Sequence, residues 1–354
     1  METHEARVLF YCLGAGMGHL TRAVAIARKL KRLIRGDIAI ITNSPFHYLL
    51  EVEDIVTIYL KNLTEINDST GSFIRGIIAR VSPELIVVDS YPSGIRDELL
   101  PVLNSDMLKK VLLRRALDEK VITAEKMASH AAELYDLVID CENLPLLPEH
   151  PLELPCSPIL IRDSEELMDR SKARDVLMAR NSERVVLGIS TGKKEQSLDF
   201  FTMLDKVFLQ IRNDAFGLRY ACPHNFQDIN EQWHNIRYFP IFELFNGIDI
   251  LVGYYSYNLY HESLAVGVPT IFISPGDAEL TVKLGERQVV AQKSFDDLEK
   301  KLREMMGRPR VESEELPVFE NGAQKAAAYI AQLLFTQDSL EIKEYKDRIE
   351  WFLM

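Results

Sequence analysis

The chain has 354 residues, of which 47% are hydrophobic and 27% charged, a composition typical of globular domains. Domains usually run about 100–200 residues, so this length predicts two of them. The 41 basic and 53 acidic residues give a net charge of −12, which disfavours nucleic acid as a partner, because phosphate binding draws on a basic excess.

The cysteines and the amino-terminal residues bear on the compartment. Cys12, Cys141, Cys156 and Cys222 are far apart and form no C-x-x-C pair, a pattern typical of free thiols packed as small hydrophobes. Residues 1–7 are polar, and no stretch reaches 18 uninterrupted apolar residues. We therefore expect a reduced, cytoplasmic protein without a membrane-spanning helix, and peripheral contact with the inner face of a membrane is left open.

Short apolar runs alternate with amphipathic periods along the first half. The runs have strand length and occupy residues 7–13, 38–42, 56–60, 85–89, 110–113 and 137–140. Between the first two, Leu20, Val24, Ala27 and Lys31 recur at helical spacing. Continuous apolar strands separated by helices predict a parallel sheet that is covered on both faces.

A proline-rich stretch and a second alternation complete the chain. Five prolines within residues 141–158 exclude a helix or a central strand, so this segment is interpreted as an interdomain linker. Beyond a charged helix at 165–180, strands are predicted at 185–190, 218–222, 236–239, 250–252 and 270–273, and helices near 198–211, 242–245, 257–266, 280–286, 324–335 and 340–352. The pattern predicts two doubly wound α/β domains, residues 1–157 and 158–335, followed by a carboxyl-terminal helix within 336–354.

Each predicted domain opens with a strand, a glycine-bearing turn and a helix, an arrangement that suits anion binding. In the first domain Gly14, Gly16 and Gly18 form this turn. Their spacing departs from the dinucleotide fingerprint, and the second strand ends without the acidic residue that binds ribose, which disfavours NAD. The turn at 188–194 lacks the spacing and the hydroxyl of a P-loop.

The turn at 188–192 also fits the sequence pattern around the nucleophile of a hydrolase. It reads G-x-S-x-G, so Ser190 could be a hydrolase nucleophile with Asp249 and His261 as partners. No oxyanion loop accompanies it, and the position after a complete α/β domain is unusual for that fold. Histidines and carboxylates show no metal-ligand spacing such as H-E-x-x-H, so no metal site is predicted.

Two motifs resemble those of GT-B glycosyltransferases, in particular predicted enzymes related to the lipid-II-forming N-acetylglucosaminyltransferase of peptidoglycan synthesis. The first is the stretch GMGHLTR at residues 16–22, followed by AIARKL at 25–30. The second is DILVG at 249–253, followed by HESLAVGVP at 261–269, which is similar to the donor-site pattern of that family. The resemblance covers the whole chain loosely, with one motif in each half.

The resemblance implies a fold and an activity. The fold is GT-B, two Rossmann-like domains facing across a cleft, with the last helix crossing back to the first domain. The first domain would bind a small-molecule or lipid-linked acceptor, and the second a nucleotide sugar, with UDP as the expected nucleotide. The implied reaction is inverting, metal-independent transfer of a hexose without a further cofactor. Two alternatives share the fold: a nucleotide-sugar 2-epimerase, and a nucleotide-sugar-binding protein without catalysis.

The family's donor site transfers by position to residues of the second half. Glu262 matches the glutamate that binds the ribose hydroxyls. Other residues correspond to segments that would contact the phosphates, the nucleobase and the sugar: Ser190, Thr191, Gly192, Ile241, Phe242, Tyr255, Ser256, Tyr257 and Asn258. Asp277 and Glu279, which could bind sugar hydroxyls, lie in residues 275–281, where this sequence differs from the family's pattern. Because that stretch lacks the family's glutamine and asparagine, a preference for N-acetylglucosamine does not transfer. Nor does the lipid acceptor, since the first loop differs from the peptidoglycan enzyme's.

His19 is the candidate general base. It follows Gly18 at the end of the first strand, and an imidazole with a pKa near 6.5 can take a proton from an attacking hydroxyl. Asp89 ends the strand 85–89 at the same sheet edge, and by analogy with other GT-B enzymes it would orient the imidazole. Gly16, Gly18 and Arg22 are predicted to form the phosphate or acceptor loop beside them.

Overall fold

The computed structural model describes residues 6–14, 16–61, 67–115, 122–142, 152–180, 182–226, 234–274, 284–308 and 317–336. The chain divides into two compact units. One comprises Met1–Ile161 together with Glu320–Met354, and the other comprises Arg162–Phe319. Each unit is built around a parallel sheet, so the predicted fold class of two α/β domains is confirmed.

The first unit contains a seven-stranded sheet in the order β3-β2-β1-β4-β5-β6-β7. Its strands are β1 (Ala6–Tyr11), β2 (Gly36–Thr42), β3 (Ile55–Tyr59), β4 (Leu85–Asp89), β5 (Lys109–Arg114), β6 (Leu137–Asp140) and β7 (Glu153–Pro155). All neighbouring pairs are parallel. Every residue of β4 is buried, as expected for a strand with helices on both faces of the sheet.

Four helices follow strands of this sheet. They are α1 (Gly18–Leu33), α2 (Asp68–Val81), the single turn α3 (Leu100–Leu103) and α4 (Ala124–Leu134). Residues before α2 and α4 cap them, since Asn67 and Thr123 accept backbone amides of the first turn. The amino-terminal end of α1, which lies directly after β1, has no side-chain cap and no acidic residue in its first turn.

The second unit repeats the architecture with six parallel strands in the order β10-β9-β8-β11-β12-β13. These are β8 (Arg184–Ile189), β9 (Phe216–Ala221), β10 (His234–Asn235), β11 (Ile250–Tyr254), β12 (Thr270–Ile273) and β13 (Gln288–Ala291). The helices are α5 (Arg170–Val176), α6 (Lys194–Ile211), α7 (Tyr257–Val266) and α8 (Phe295–Met306). A 3-10 helix at Ile241–Gly247 precedes β11.

The helix α9 (Gly322–Phe335) belongs to the first unit, where it packs against α1. The sequence analysis placed residues 324–335 in the second domain, which is wrong. The Asn321 side chain exchanges hydrogen bonds of 2.9 and 3.0 Å with the backbone of Leu160. At the other end, Lys109 Nζ donates to the carbonyls of Leu333, Leu334 and Thr336, a favourable position for a cation at a helix carboxyl terminus.

Other predictions differ from the structure in detail. The boundary between units falls after Ile161, not after residue 157. Part of the predicted linker, Glu153–Pro155, is the edge strand β7, a position where proline is tolerated because no further strand needs its amide. The charged helix at 165–180 shortens to α5, and the predicted strand at 236–239 is irregular. The helix expected at 340–352 and most of that at 280–286 lie outside the described residues.

Both sheets are doubly wound, because the strand order runs outward in both directions from the first strand. The reversal falls between β1 and β4 in one unit and between β8 and β11 in the other. In open α/β sheets, ligands bind at the carboxyl ends of strands at such a point. No helix in the described ranges has the length and apolar character needed to cross a membrane.

Candidate functional site

In the first unit, the reversal point brings together a polar side chain from a helix and one from a neighbouring strand. Tyr11 of β1 pairs with Val88 of β4, so the segments that follow both strands begin side by side. One leads through the glycine turn to His19 in the first turn of α1, and the other ends at Asp89. The predicted proximity of His19 and Asp89 is therefore observed.

The two side chains form a short hydrogen bond. His19 Nδ1 lies 2.6 Å from Oδ2 of Asp89. An ionised carboxylate accepts, so Nδ1 carries the proton and Nε2 holds a lone pair. No residue in the described ranges hydrogen-bonds Nε2, and the His19 side chain is 12% exposed, against 2% for Asp89. The imidazole thus presents a basic nitrogen, while its other nitrogen is held by a buried carboxylate.

Arg22 is the third member of the cluster that contains His19 and Asp89. It lies three residues after His19 on the same helix face. Its Nε donates to Asp89 Oδ1 over 3.1 Å and one Nη donates to Oδ2 over 2.6 Å, a bidentate pair. The Arg22 side chain is only 1% exposed. The prediction that Arg22 lies on a ligand-binding loop is thus wrong, because helical spacing directs its guanidinium to the buried carboxylate.

Burial and charge set the protonation states of the cluster. Burial alone would raise the pKa of Asp89, but the charges and hydrogen bonds of Arg22 and His19 outweigh it and hold that pKa well below its usual range. Burial lowers the pKa of His19 below its ordinary value of 6.5, more than Asp89 raises it, and Arg22 and Arg115 add to the lowering. Around neutral pH the pair is a neutral imidazole on an ionised carboxylate.

The three glycines of the turn have different roles. A Cβ at Gly14 would lie 2.3 Å from Cδ2 and Nε2 of His19, so only glycine leaves room for the imidazole. Gly16 has φ of +77°, a conformation that favours glycine. A Cβ at Gly18 would meet nothing closer than the Arg22 guanidinium at 3.7 Å, an ordinary contact. The turn is thus shaped around His19 at one end.

The loop after β4 supplies a side chain that the sequence analysis missed. The ring of Tyr91 stacks on His19 with centroids 5.7 Å apart. The loop is held by Glu98, which is buried and accepts the backbone amides of Ile95 and Arg96 over 3.1 and 2.8 Å, and which also accepts the Tyr11 hydroxyl. The position of Tyr91, two residues beyond a buried strand at the reversal point, is the signal that could have identified it.

In the second unit, the turn after β8 carries the predicted phosphate-side residues. Ser190, Thr191 and Gly192 lie at the carboxyl end of β8, next to β11. The Ser190 hydroxyl is 2.8 Å from the Ser197 hydroxyl of α6, and the Gly192 carbonyl is 2.9 Å from His224 Nε2. These bonds fix the shape of the turn at the edge where a ligand would bind.

The same geometry removes the hydrolase alternative. Ser190 lies at the carboxyl edge of the sheet, whereas Asp249 precedes β11 at the opposite edge. Asp249 accepts the Val185 amide over 2.7 Å and Arg170 over 2.8 Å. His261 instead contacts the rings of Tyr257 and Tyr260. A Ser–Asp–His arrangement is therefore absent, because the acid stands at the wrong end of its strand.

The start of α7 holds four predicted donor-site residues in different environments. Ser256 is exposed, and its hydroxyl accepts the Leu259 amide as the N-cap. Tyr257 is buried against His261, and Tyr255 packs on Tyr260 and Phe272. The side-chain oxygen of Asn258 is buried and accepts no hydrogen bond from any described residue. Of the four, Asn258 has a side-chain oxygen that a ligand could contact.

Glu262 lies one turn further into α7 and is 7% exposed. In the described part of the chain no cation or donor pairs with its carboxyl group. Burial raises the pKa of Glu262 from 4.5 to about 8. Burying an acid without a partner at the reversal point of a sheet destabilises the folded protein. Such groups mark candidate functional sites.

The nucleobase-side prediction is corrected for Phe242. Its side chain is 1% exposed and packs on Phe245 at 5.3 Å and Phe319 at 5.9 Å, so it belongs to the core of the second unit. Ile241 is buried as well. An apolar pair opening a 3-10 helix covers the interior here, which leaves backbone atoms as the groups that could contact a base. Asp277 and Glu279 lie outside the described residues.

Among the described residues, no group of three or more histidine, cysteine, aspartate or glutamate side chains could hold a metal ion. The polar groups at the two reversal points are instead the His19–Asp89 pair in one unit and the carboxyl group of Glu262 and the side-chain oxygen of Asn258 in the other.

Several solved structures share this architecture. Spinosyn forosaminyltransferase SpnP matches 99% of this chain and 100% of its own, with a TM-score of 0.58 and 15% identity. The S. aureus MnaA structure in complex with UDP matches 98% of this chain and 97% of its own, with a TM-score of 0.59 and 10% identity. A UDP-N-acetylglucosamine 2-epimerase matches 93% of this chain and 95% of its own, with a TM-score of 0.60 and 10% identity. No protein-family profile and no curated protein sequence matches the chain.

These matches identify the fold as that of GT-B glycosyltransferases. The neighbours include both transferases and an epimerase, so the likeness shows the fold and does not resolve the activity. They do not specifically show the lipid-II-forming family to which the motifs were compared.

Proposed function

We propose that the protein is an inverting glycosyltransferase that moves a sugar from a nucleotide diphosphate sugar, with UDP as the nucleotide, to a hydroxyl group of an acceptor. The observation that carries this proposal is the His19–Asp89 pair at the reversal point of the first sheet. The fold likeness supports the substrate class, since one neighbour is a complex with UDP and another is a sugar transferase.

His19 acts as the general base in this proposal. Its Nε2 takes the proton of the acceptor hydroxyl while the hydroxyl oxygen attacks the anomeric carbon, and the nucleoside diphosphate departs from the opposite face. The positive charge that develops on the imidazole is stabilised by Asp89 at Nδ1. General bases of this kind contribute about 10²–10⁴-fold in rate.

The second unit binds the nucleotide in this proposal. Glu262 accepts the ribose hydroxyls, and the amides at the start of α7 and in the 190–192 turn bind the diphosphate, whose negative charge favours helix amino termini. The same interactions stabilise the leaving group as the glycosidic bond breaks. The acceptor, a small or lipid-linked molecule, contacts His19 and Tyr91.

Calorimetric titration of the full chain with UDP, ATP and NAD tests the donor half of the proposal. We expect binding of UDP with a dissociation constant far below those of ATP and NAD. Glu262→Gln should weaken UDP binding, while Glu304→Gln, a change of the same chemistry on the exposed face of α8, should not. Equal affinity for all three nucleotides, or an unaffected Glu262→Gln variant, would overturn it.

A nucleotide-sugar 2-epimerase is the second candidate, since one neighbour carries that name and overlaps 93% of the chain. An assay can distinguish the transferase from the epimerase even when the acceptor is unknown. An epimerase converts UDP-N-acetylglucosamine to its 2-epimer in the absence of any other substrate, whereas the proposed transferase leaves the sugar configuration at C2 unchanged.

A further inference from the structure

Two cysteines far apart in sequence meet at the edge of the first sheet. β6 ends at Asp140 and β7 ends at Pro155, and these two residues pair in register. Cys141 and Cys156 are the next residues on each strand. Their backbones are fixed, because the Cys141 amide donates to the Arg114 carbonyl over 3.2 Å and the Cys156 amide to the Asp140 carbonyl over 2.9 Å.

The thiols already contact each other. The Sγ atoms of Cys141 and Cys156 are 3.9 Å apart, with Cys156 as the donor of an S–H···S hydrogen bond. A disulfide needs about 2.05 Å between sulfurs and Cα atoms about 4.4–6.8 Å apart. Neighbouring strands run about 4.8 Å apart, so the backbone spacing lies in that range. Side-chain rotation that shortens the sulfur separation by about 1.9 Å is sufficient.

The two thiols differ in access. Cys156 is partly exposed, whereas Cys141 is 1% exposed. The hydrogen bond from Cys156 and burial both raise the pKa of Cys141 well above its usual value, which keeps it a thiol. An oxidant in solution therefore meets Cys156 first, and Cys141 is placed to react with whatever forms there.

We propose that Cys141 and Cys156 are a reversible oxidation site that peroxides convert to a disulfide. The Cys156 thiolate attacks one peroxide oxygen, which breaks the O–O bond and gives a sulfenic acid and hydroxide. The Cys141 sulfur then attacks that sulfenic sulfur, and its proton leaves with the departing hydroxide as water. Two thiols and one hydrogen peroxide give one disulfide and two waters, and a thiol reductant reverses the change.

The oxidation site lies at the same edge of the sheet as Asp89, two strands away, since Asp89 pairs with Leu113 of β5 and Leu113 pairs with Ile139 of β6. α9 also contacts β7 next to Cys156, since its Tyr329 hydroxyl donates to the Pro155 carbonyl over 3.2 Å. A disulfide would therefore fix the edge strand β7 to β6 at the edge of the sheet where Asp89 also lies. The inference rests on the sulfur geometry alone and stands whether or not the protein is a transferase.

Mass spectrometry of the full chain tests this proposal. No lysine or arginine lies between Lys126 and Arg162, so trypsin leaves both cysteines in one peptide, and oxidation should lower its mass by about 2 Da, the two hydrogens lost on disulfide formation. Cleavage after Glu142, Glu149 or Glu153 separates the cysteines, so a glutamate-specific protease should yield a linked pair of peptides. Thiol reductant should reverse both signals.

Variants and controls make the test decisive. Cys156→Ser should abolish the mass loss, while Cys222→Ser, a buried cysteine of the second unit, should leave it unchanged. Should dilute hydrogen peroxide instead carry Cys156 to the sulfinic acid with Cys141 still open to alkylation after unfolding, or link either cysteine to Cys12, the proposal is overturned.

Discussion

His19 Nδ1 and Asp89 Oδ2 lie 2.6 Å apart, and the same carboxylate receives the bidentate pair from Arg22. Asp89 therefore connects the imidazole to a buried cation. The carboxylate is kept ionised by Arg22, and in turn fixes the tautomer in which His19 Nε2 can accept a proton.

Removing the base should abolish turnover without unfolding the protein. We expect His19→Ala to lower kcat by about 10²–10⁴-fold, the range that general bases contribute, with the affinity for UDP unchanged. Steady-state kinetics and calorimetric titration check the two parts. A His19→Ala variant with wild-type kcat would show that the imidazole only supports the turn.

The pH profile should show an acid limb that reflects His19. Burial lowers the pKa of His19 below 6.5, so the neutral, basic form persists to lower pH. We expect kcat at saturating donor, a condition in which Glu262 is already ionised, to fall only at pH values below 6.5 in the wild-type protein. A limb at or above 6.5 would contradict this assignment.

Gly14→Ala should damage the site with little effect on the fold. The added Cβ would lie 2.3 Å from the imidazole, so His19 must move away from Asp89, and kcat should drop by more than about 10-fold, since small displacements at a reacting group are costly in rate. The matched control is Gly76→Ala on α2, where no atom lies within 4 Å. The control should keep full activity and gain up to about 1 kcal/mol in stability from helix propensity.

Arg22→Met should reduce stability and alter the pH profile. The change leaves Asp89 buried without its cation, and breaking such pairs costs about 3–5 kcal/mol in the free energy of unfolding. Because the folded pKa of Asp89 is depressed in the wild-type protein, the loss is full at pH 7 and shrinks as the pH falls below 3.8, where the unfolded chains become protonated, toward the much lower folded pKa. Urea unfolding at several pH values checks this prediction.

The same variant should shift the base. Arg22 lowers the pKa of His19, so its removal should move the acid limb of kcat at saturating donor to higher pH. An Arg22→Met variant that is destabilised but keeps the wild-type limb would limit Arg22 to a structural role.

UDP binding should release a proton from Glu262. Burial raises the pKa of Glu262 to about 8, so the free protein holds a neutral acid at pH 7. A carboxylate that accepts ribose hydroxyls is favoured in its ionised form, so binding lowers that pKa and expels the proton. Titrations in buffers of different ionisation enthalpy should show release approaching one proton per UDP at pH 7, which Glu262→Gln eliminates. Uptake, or release that persists in the variant, would contradict the assignment.

Much of the fold follows from the sequence because its strands are short apolar runs at a parallel-sheet length. The runs at 85–89 and 137–140 match β4 and β6 residue for residue. The pairing of His19 with Asp89 was accessible for the same reason, since carboxyl ends of parallel strands share one edge. What the pattern could not provide is the partner of α9, whose burial on nearly all sides is evident from its composition but not the unit it packs against.

The errors at the site have a common physical origin. Arg22 and Phe242 were assigned to ligand contacts from motif position alone, whereas both side chains point inward. Helical spacing relative to His19 indicates the direction of Arg22, and the apolar neighbour Phe245 indicates that of Phe242. Tyr91 and Glu98 were missed because the loop after β4 has no motif, and its shape depends on hydrogen bonds to Glu98 from residues that follow no periodic pattern.

Proton NMR of the anomeric signal, recorded while the protein cleaves a UDP-α-sugar with water as the acceptor, tests the central claim most directly. The account predicts release of UDP together with a free sugar that first appears as the β anomer, at a rate that His19→Ala lowers by at least about 100-fold. Formation of the 2-epimer, first appearance of the α anomer, or an unchanged donor would contradict it.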